Sequence, residues 1–286
     1  MEKSPEKLCK RCTKPGEFRE SKFPDGRTAT RRLCTACEAD QRRQRRANGA
    51  PKPQTHSETV VAIGDFHAPW QCESALEWAL DLIAELQPKT VVQMGDLYDM
   101  YSFGRHPRNP NHITPAAEID TGRGAAEELW RAVKLAAPAA TCYQLIGNHD
   151  DRPYKLALNK APELATLIGP ELKNLYAFPG VSTVNESNEE LVIDGVVYMH
   201  GFRSRLGDHA AFNQRNTVCG HSHRGGVHFE RQLGGIIWEL NAGFLANINA
   251  PVFRYRAQAR IHKTTRGLGI VDKLGPRFAP FPGETP

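Results

Sequence analysis

Thr59-Val60-Val61-Ala62-Ile63-Gly64-Asp65-Phe66-His67 decides how this chain is read. The apolar run is β-branched, too short for a helix and closed by a glycine, so it predicts a buried strand. Beyond the glycine stand two side chains of metal-ligand type. The same arrangement recurs downstream. Thr90 to Met94 leads into Gly95-Asp96-Leu97-Tyr98-Asp99, and Thr141 to Ile146 into Gly147-Asn148-His149-Asp150. Val196 to Met199 leads into His200-Gly201, and Thr217 to Cys219 into Gly220-His221-Ser222-His223. In four of the five segments a glycine precedes the first polar residue, which permits a sharp turn and close approach of a ligand. Five of the eleven histidines (67, 149, 200, 221 and 223) fall in these segments. In an open α/β sheet, ligands collect beyond the carboxyl ends of the strands, so side chains far apart in sequence can meet there.

Between the strands the periodicity changes. Glu73 to Leu86 carries apolar residues at Leu76, Ala79, Leu80, Ile83 and Leu86, a helical stripe. Ala116 to Ala137 predicts a second helix, with a candidate break at Gly122–Gly124, and helical pieces fill 153–173. Asp194-Gly195 is a hairpin turn between Glu190–Ile193 and Val196–Met199. Val227–Gln232, Ile236–Leu240 and Leu268–Val271 are late strands with no helix between them, which implies a mixed or two-layer sheet. The expected class is therefore α/β: a two-layer mixed β-sheet flanked by helices. The expected domains are a cysteine module over 1–50, a linker over 51–58, the main domain over 59–272 and a loose Pro-rich tail over 273–286.

The 286 residues are 40% hydrophobic, enough to bury a large core. The apolar runs are too short to cross a bilayer and the charged start lacks an apolar signal core, so no membrane association, a cytoplasmic location and no signal peptide are expected. The net charge of +5 is uneven: residues 1–50 carry +7 and the remainder −2. Basicity thus belongs to the N-terminal module and points to a polyanionic partner there.

Four of the seven cysteines, Cys9, Cys12, Cys34 and Cys37, form two Cys-x-x-Cys pairs with 21 residues between them. That is zinc-ribbon-like spacing and predicts one structural Zn²⁺. Fifty polar residues could hardly fold without it. A helix over 35–47 would carry Arg42, Arg43, Arg45 and Arg46 toward DNA or RNA phosphates. A solvated basic face or a clasp for a protein partner are the other readings of these arginines.

The ordered set Asp-x-His, Gly-Asp-x-x-Asp, Gly-Asn-His-Asp, His and Gly-His-x-His resembles the calcineurin-like metallophosphoesterase superfamily over residues 60–223, and more loosely to about 272. The wording Gly-Asp-Phe-His-Ala-Pro and Gly-Asn-His-Asp-Asp-Arg is similar to a subgroup common in bacteriophage and bacterial genomes, for which the location would be the host cytoplasm. The resemblance implies that Asp65, His67 and His223 bind one metal, that Asn148, His200 and His221 bind a second, and that Asp96 bridges them. A mixed nitrogen and oxygen shell suits Mn²⁺, Fe, Zn²⁺ or Ni²⁺ better than Ca²⁺ or Mg²⁺. Two such ions can activate water for in-line attack on a phosphate ester.

His149 would then serve as general acid, oriented by Asp99. Asp150 is read as a partner of a ligand histidine. Arg152, Arg105 and Arg108 are clamp candidates for the substrate phosphate. Met100 stands where protein serine/threonine phosphatases have an arginine, which argues against phosphoproteins. The expected function is a phosphodiesterase or nuclease brought to nucleic acid by the zinc module. The alternatives are a phosphomonoesterase, acting on nucleotides, nucleic-acid ends or proteins, and a catalytically idle nucleic-acid-binding scaffold.

Overall fold

A computed structural model describes residues 20–22, 28–30, 58–104, 113–184, 190–253 and 264–283. Cys9, Cys12, Cys34 and Cys37, the arginines Arg42, Arg43, Arg45 and Arg46, the linker up to residue 57, and Arg105 and Arg108 lie outside the described residues. The chain divides into two compact units, Met1–Gln54 with Leu233–Gly235, and Thr55–Gln232 with Ile236–Pro286. In the first unit β1 (Glu20–Lys22) and β2 (Thr28–Thr30) pair antiparallel, Glu20 opposite Thr30.

The second unit is built on β3 (Val60–Ile63), β4 (Thr90–Gln93), β5 (Thr141–Leu145) and β6 (Val181–Val184), all parallel to their neighbours. β12 (Gly267–Asp272) runs antiparallel beside β3, and β13 (Gly275–Pro280) antiparallel beside β12. These six form one mixed sheet in the order β13-β12-β3-β4-β5-β6. The other sheet contains β7 (Leu191–Ile193), β8 (Val196–Met199), β9 (Thr217–Cys219), β10 (Gly226–Gln232) and β11 (Gly235–Asn241), in the order β10-β11-β9-β8-β7. Its β8, β9 and β11 are mutually parallel and β7 is antiparallel to β8, across the Asp194-Gly195 turn.

Strand alternation divides the core in two. Val61 and Ile63 of β3, Val91 of β4 and Cys142 of β5 face a helical layer. That layer is α1 (Glu73–Leu86), through Ala75, Leu76, Ala79 and Ile83, and α2 (Pro115–Ala136), through Ala126, Leu129, Trp130 and Val133. The alternate residues Val60, Ala62, Val92 and Leu145 pack on Val196, Tyr198, Val218, Trp238 and Leu240, so the two sheets lie face to face. Both faces of β3 and β4 are thus covered, which is why these strands read as continuous apolar runs. No helix among the described residues is long and apolar enough to cross a membrane.

Two expectations are corrected. α2 continues through Gly122, where an added Cβ would meet the Tyr98 ring at 3.1 Å; the glycine allows close packing and marks no break. The helical pieces expected over 153–173 are α3 (Arg152–Lys160) and α4 (Pro162–Leu175), and β6, a strand that the sequence pattern did not single out, extends the sheet. Residues 275–280 of the expected loose tail are strand β13: Pro276 and Pro280 are tolerated because an edge strand leaves alternate N–H positions unpaired.

Candidate metal centre

The polar residues after β3, β4, β5, β8 and β9 converge at one end of the two sheets. The ligand atoms of Asp65, His67, Asp96 and His223 all lie within 4.8 Å of one another, and all four residues are buried. His67 Nε2 stands 3.1 Å from His223 Nε2, and His223 Nε2 stands 2.8 Å from Asp65 Oδ2. Beside this group, Asn148 Oδ1 lies 2.7 Å from His221 Nδ1 and 3.1 Å from His200 Nε2, and His200 Nε2 lies 3.4 Å from Asp96 Oδ1. Asp96 therefore touches both groups. The seven residues that the resemblance implies as ligands of the two ions are brought together.

The buried oxygen Asp65 Oδ2 has no hydrogen-bond donor although His223 Nε2 is 2.8 Å away. Two acceptors aimed at a common point make no hydrogen bond with each other, but both can bind one cation. Ligands about 2.0–2.2 Å from an ion stand roughly 3 Å apart, as these atoms do. The residues present therefore fit a divalent cation, and the shared position of Asp96 fits a second one on the Asn148 side.

Local backbone shape produces this convergence. His67, Asp96, His221 and His223 have φ values of 53°, 50°, 65° and 60°, in the left-handed region that residues with a Cβ rarely adopt. Four such residues in one cluster are strain held by the surrounding fold, which gathers at functional sites. At Gly147 a Cβ would lie 2.2 Å from the Asp96 backbone nitrogen, so only glycine lets the β4 and β5 turns meet.

The electrostatics suit ion binding. Burial, and then the neighbouring His149, push His67 down to about 4, so its lone pair is free at neutral pH. Burial, and then His200, lower His221 as well. Burial raises Asp65. Asp96 is held well below its ordinary value, because His200 and His149 outweigh the opposing effect of burial. His200 is pushed up to about 10: burial opposes its charge, but the Asp96 carboxylate outweighs burial. Its Nδ1 lies 2.9 Å from the Met94 carbonyl and donates to it, leaving Nε2 turned to the cluster.

Asp99, which is buried, lies 3.0 Å from His67 Nδ1 and 3.5 Å from His149 Nδ1 through one carboxylate oxygen. Burial raises its pKa, but hydrogen bonds and attraction from His149 and His67 lower it overall. His149 Nδ1 donates to the Asp99 carbonyl at 3.0 Å, because Arg152 Nη2 donates to Nε2 at 2.8 Å and a guanidinium cannot accept. Arg152 Nη1 also donates to the Asp99 carbonyl at 2.8 Å. The arginine expected to clamp substrate thus occupies, in this state, the ring nitrogen from which an acid would donate.

Asp150 corrects an expectation. Its carboxylate accepts from the backbone N–H groups of Gly147 at 2.7 Å, Tyr98 at 2.9 Å and Leu97 at 3.3 Å, and it tethers the turn after β4 to the turn after β5, with no hydrogen bond to a ligand histidine. Burial and the nearby Asp96 push it up to about 7, against the pull of those N–H groups.

Two supports escaped sequence reading. Glu118 of α2, buried, accepts from Ser102 N at 2.7 Å and from Tyr101 N at 2.5 Å, and anchors the segment after Asp99. His209 opens α5 (Asp208–Asn213), and its Nε2 accepts from Phe202 N at 3.0 Å and Arg203 N at 3.1 Å, just past His200. His209, Cys219 and Glu239 are close enough together to suggest another ion site. With Nε2 accepting, however, the imidazole carries its hydrogen on Nδ1, which faces Glu239 Oε2 at 3.4 Å, so no lone pair is left for a metal. Neither contact has a sequence motif, because each pairs a helix residue with a distant loop.

The family model described as Calcineurin-like phosphoesterase matches residues 58–238. The chain is similar to the "Gene 54 protein" of Mycobacterium phage D29, 26% identical over 258 residues that cover 79% of this chain and 95% of that protein. It is also similar to the "Gene 54 protein" of Mycobacterium phage L5, 26% identical over 232 residues, covering 71% and 85% respectively.

Proposed function

The chain belongs to the calcineurin-like phosphoesterase family, and from that premise we propose that it is a dinuclear metal phosphodiesterase whose substrate is nucleic acid. The observation that carries the dinuclear reading is the position of Asp96, which faces Asp65, His67 and His223 on one side and is 3.4 Å from His200, next to Asn148 and His221, on the other. Asp65, His67, Asp96 and His223 would hold one ion, and Asp96, Asn148, His200 and His221 the other. Two bound divalent ions would supply Lewis acidity that makes water an effective nucleophile at neutral pH and neutralises charge on the phosphate oxygens.

The remaining work falls to the chain. Asp99 holds the His149 ring between itself and the cluster, and His149 would give a proton to the departing oxygen from Nε2. Arg152 must leave that nitrogen first, and Nε2 must then take up a proton from solvent, because the ring hydrogen seen in this arrangement is on Nδ1. An entering phosphate provides the competing anion, and a guanidinium binds phosphate oxygens in a bidentate fork. The Tyr101–Phe103 turn, whose first two N–H groups Glu118 accepts, would keep Asp99 in place while Arg152 moves. The module over 1–50 is assigned a structural zinc on Cys9, Cys12, Cys34 and Cys37, and its arginines a role in delivering the enzyme to polyanionic substrate.

The test is a substrate panel on protein reconstituted with Mn²⁺, Fe, Zn²⁺ or Ni²⁺. A chromogenic bis-phosphodiester, the matching monoester, and single- and double-stranded DNA and RNA are compared. Faster hydrolysis of the diester and of a nucleic acid is expected. Preference for the monoester in every metal would overturn the assignment.

A further inference from the structure

The loop that leaves the second half of the cluster is unusual in what it exposes. After His200 and Gly201 come Phe202, Arg203, Ser204 and Arg205, all four exposed. Phe202 is 50% exposed and packs edge-on against Phe212 of α5, itself 61% exposed, with ring centroids 5.5 Å apart. The Arg203 guanidinium lies over both rings, 5.1 Å from Phe202 and 5.5 Å from Phe212. Neither Arg203 nor Arg205 has a carboxylate partner among the described residues.

Such a surface costs solvation of two aromatic rings and is not left loose. The buried His209 ring accepts from the backbone of both Phe202 and Arg203 and meets the Phe202 ring edge-on at 5.3 Å. Glu239, also buried, accepts from His209 N at 2.7 Å and Ala210 N at 3.1 Å, which fixes the start of α5. Phe202 is two residues beyond His200, so its Cα is within about 7.6 Å of that of a cluster residue. A rigidly held aromatic pair with two arginines that have no carboxylate partner among the described residues, next to the candidate metal centre, matches what a nucleic-acid strand offers: flat bases to stack and phosphates to pair.

The geometry points to Phe202, Phe212 and Arg203 as a binding lip for a single-stranded nucleic acid flanking the scissile phosphate, with Arg205 as a further phosphate contact. This rests on the phosphodiesterase reading for the position of the scissile bond, but the surface itself is independent of turnover. A base stacks on the exposed ring, and Arg203 neutralises the adjoining phosphate. Specificity on such a lip is for single strands over duplexes and not for sequence, since every base has a flat face.

Two measurements test it on the full chain loaded with Mn²⁺. In the first, Phe202→Ala and Arg203→Ala are compared with the unaltered protein on a short single-stranded DNA oligonucleotide and on the chromogenic bis-phosphodiester. KM for the oligonucleotide is expected to rise about tenfold more than KM for the diester. Equal changes on both substrates, or none, would overturn the proposal. In the second, the protein is irradiated with a single strand carrying iodouracil and the adducts are mapped by mass spectrometry. Adducts in 201–212 support the lip, and adducts confined to other segments overturn it. If the unaltered protein hydrolyses neither substrate, the phosphodiesterase reading has failed and the adduct map alone decides the lip.

Discussion

His149 is held from two directions, by Asp99 on Nδ1 and by Arg152 on Nε2, and only the first contact was foreseeable from the Gly-Asp-x-x-Asp and Gly-Asn-His-Asp spacing. Arg152 is three residues from His149 and begins α3, and a turn closed by Arg152 N donating to the His149 carbonyl at 3.0 Å brings the two side chains together. His149→Ala is expected to slow turnover by about 10²–10⁴-fold while leaving metal content unchanged, as removal of a proton donor should. Asp96→Asn is expected to cost both ions, because its carboxylate stands between the two groups. Elemental analysis beside steady-state rates separates the two; equal metal loss in both variants would show the roles to be misassigned. The identities of the cluster residues were legible because each follows a strand. The left-handed shapes of His67, Asp96, His221 and His223 were not, since propensity assigns that region to glycine and asparagine and only the packed fold imposes it elsewhere.

Strands and helices with a single strong period were read almost to the residue. α1 has a clean apolar stripe, and it spans Glu73–Leu86 as expected. Ile83, fully buried against the sheet, makes the stripe testable: Ile83→Ala is expected to cost ~2–5 kcal/mol in a chemical-denaturation series. The elements missed lack such a signal. β6 is only half buried, α5 is six residues long, and β13 carries prolines that normally mark a loop. Glu118 reads as an ordinary helix carboxylate, yet it satisfies two N–H groups of the turn after Asp99. Glu118→Ala leaves those donors without a partner and is expected to cost ~1–3 kcal/mol for each that stays buried. A larger fall in kcat than in thermal stability would show that the turn positions Asp99; a purely thermal effect would not.

Across the whole molecule, the His200 proton links the cluster to pH. Its value is raised in the folded state to about 10 from an ordinary 6.5, so it contributes stability that is fully present below pH 6.5 and lost as pH rises through about 10. Chelator-treated protein is therefore expected to melt at progressively lower temperature across that interval. Metal-loaded protein should not, because a bound cation takes the place of the proton opposite Asp96. Thermal melts at a series of pH values, with and without Mn²⁺, measure the difference. Removal of residues 1–50, which carry +7, is expected to weaken binding to DNA more than hydrolysis of the small diester. A collapse of the small-substrate rate would place the module inside the catalytic fold.

The tether made by Asp150 bears on which ions the protein accepts. Three peptide hydrogens from two neighbouring turns close on one carboxylate, so the width of the cleft is set by the chain itself. Exchanging one transition metal for another should then alter reactivity without redrawing the walls. Ionic radius is then the expected sieve: a cation that demands longer bonds and more oxygens, such as Ca²⁺, should restore less activity than Mn²⁺.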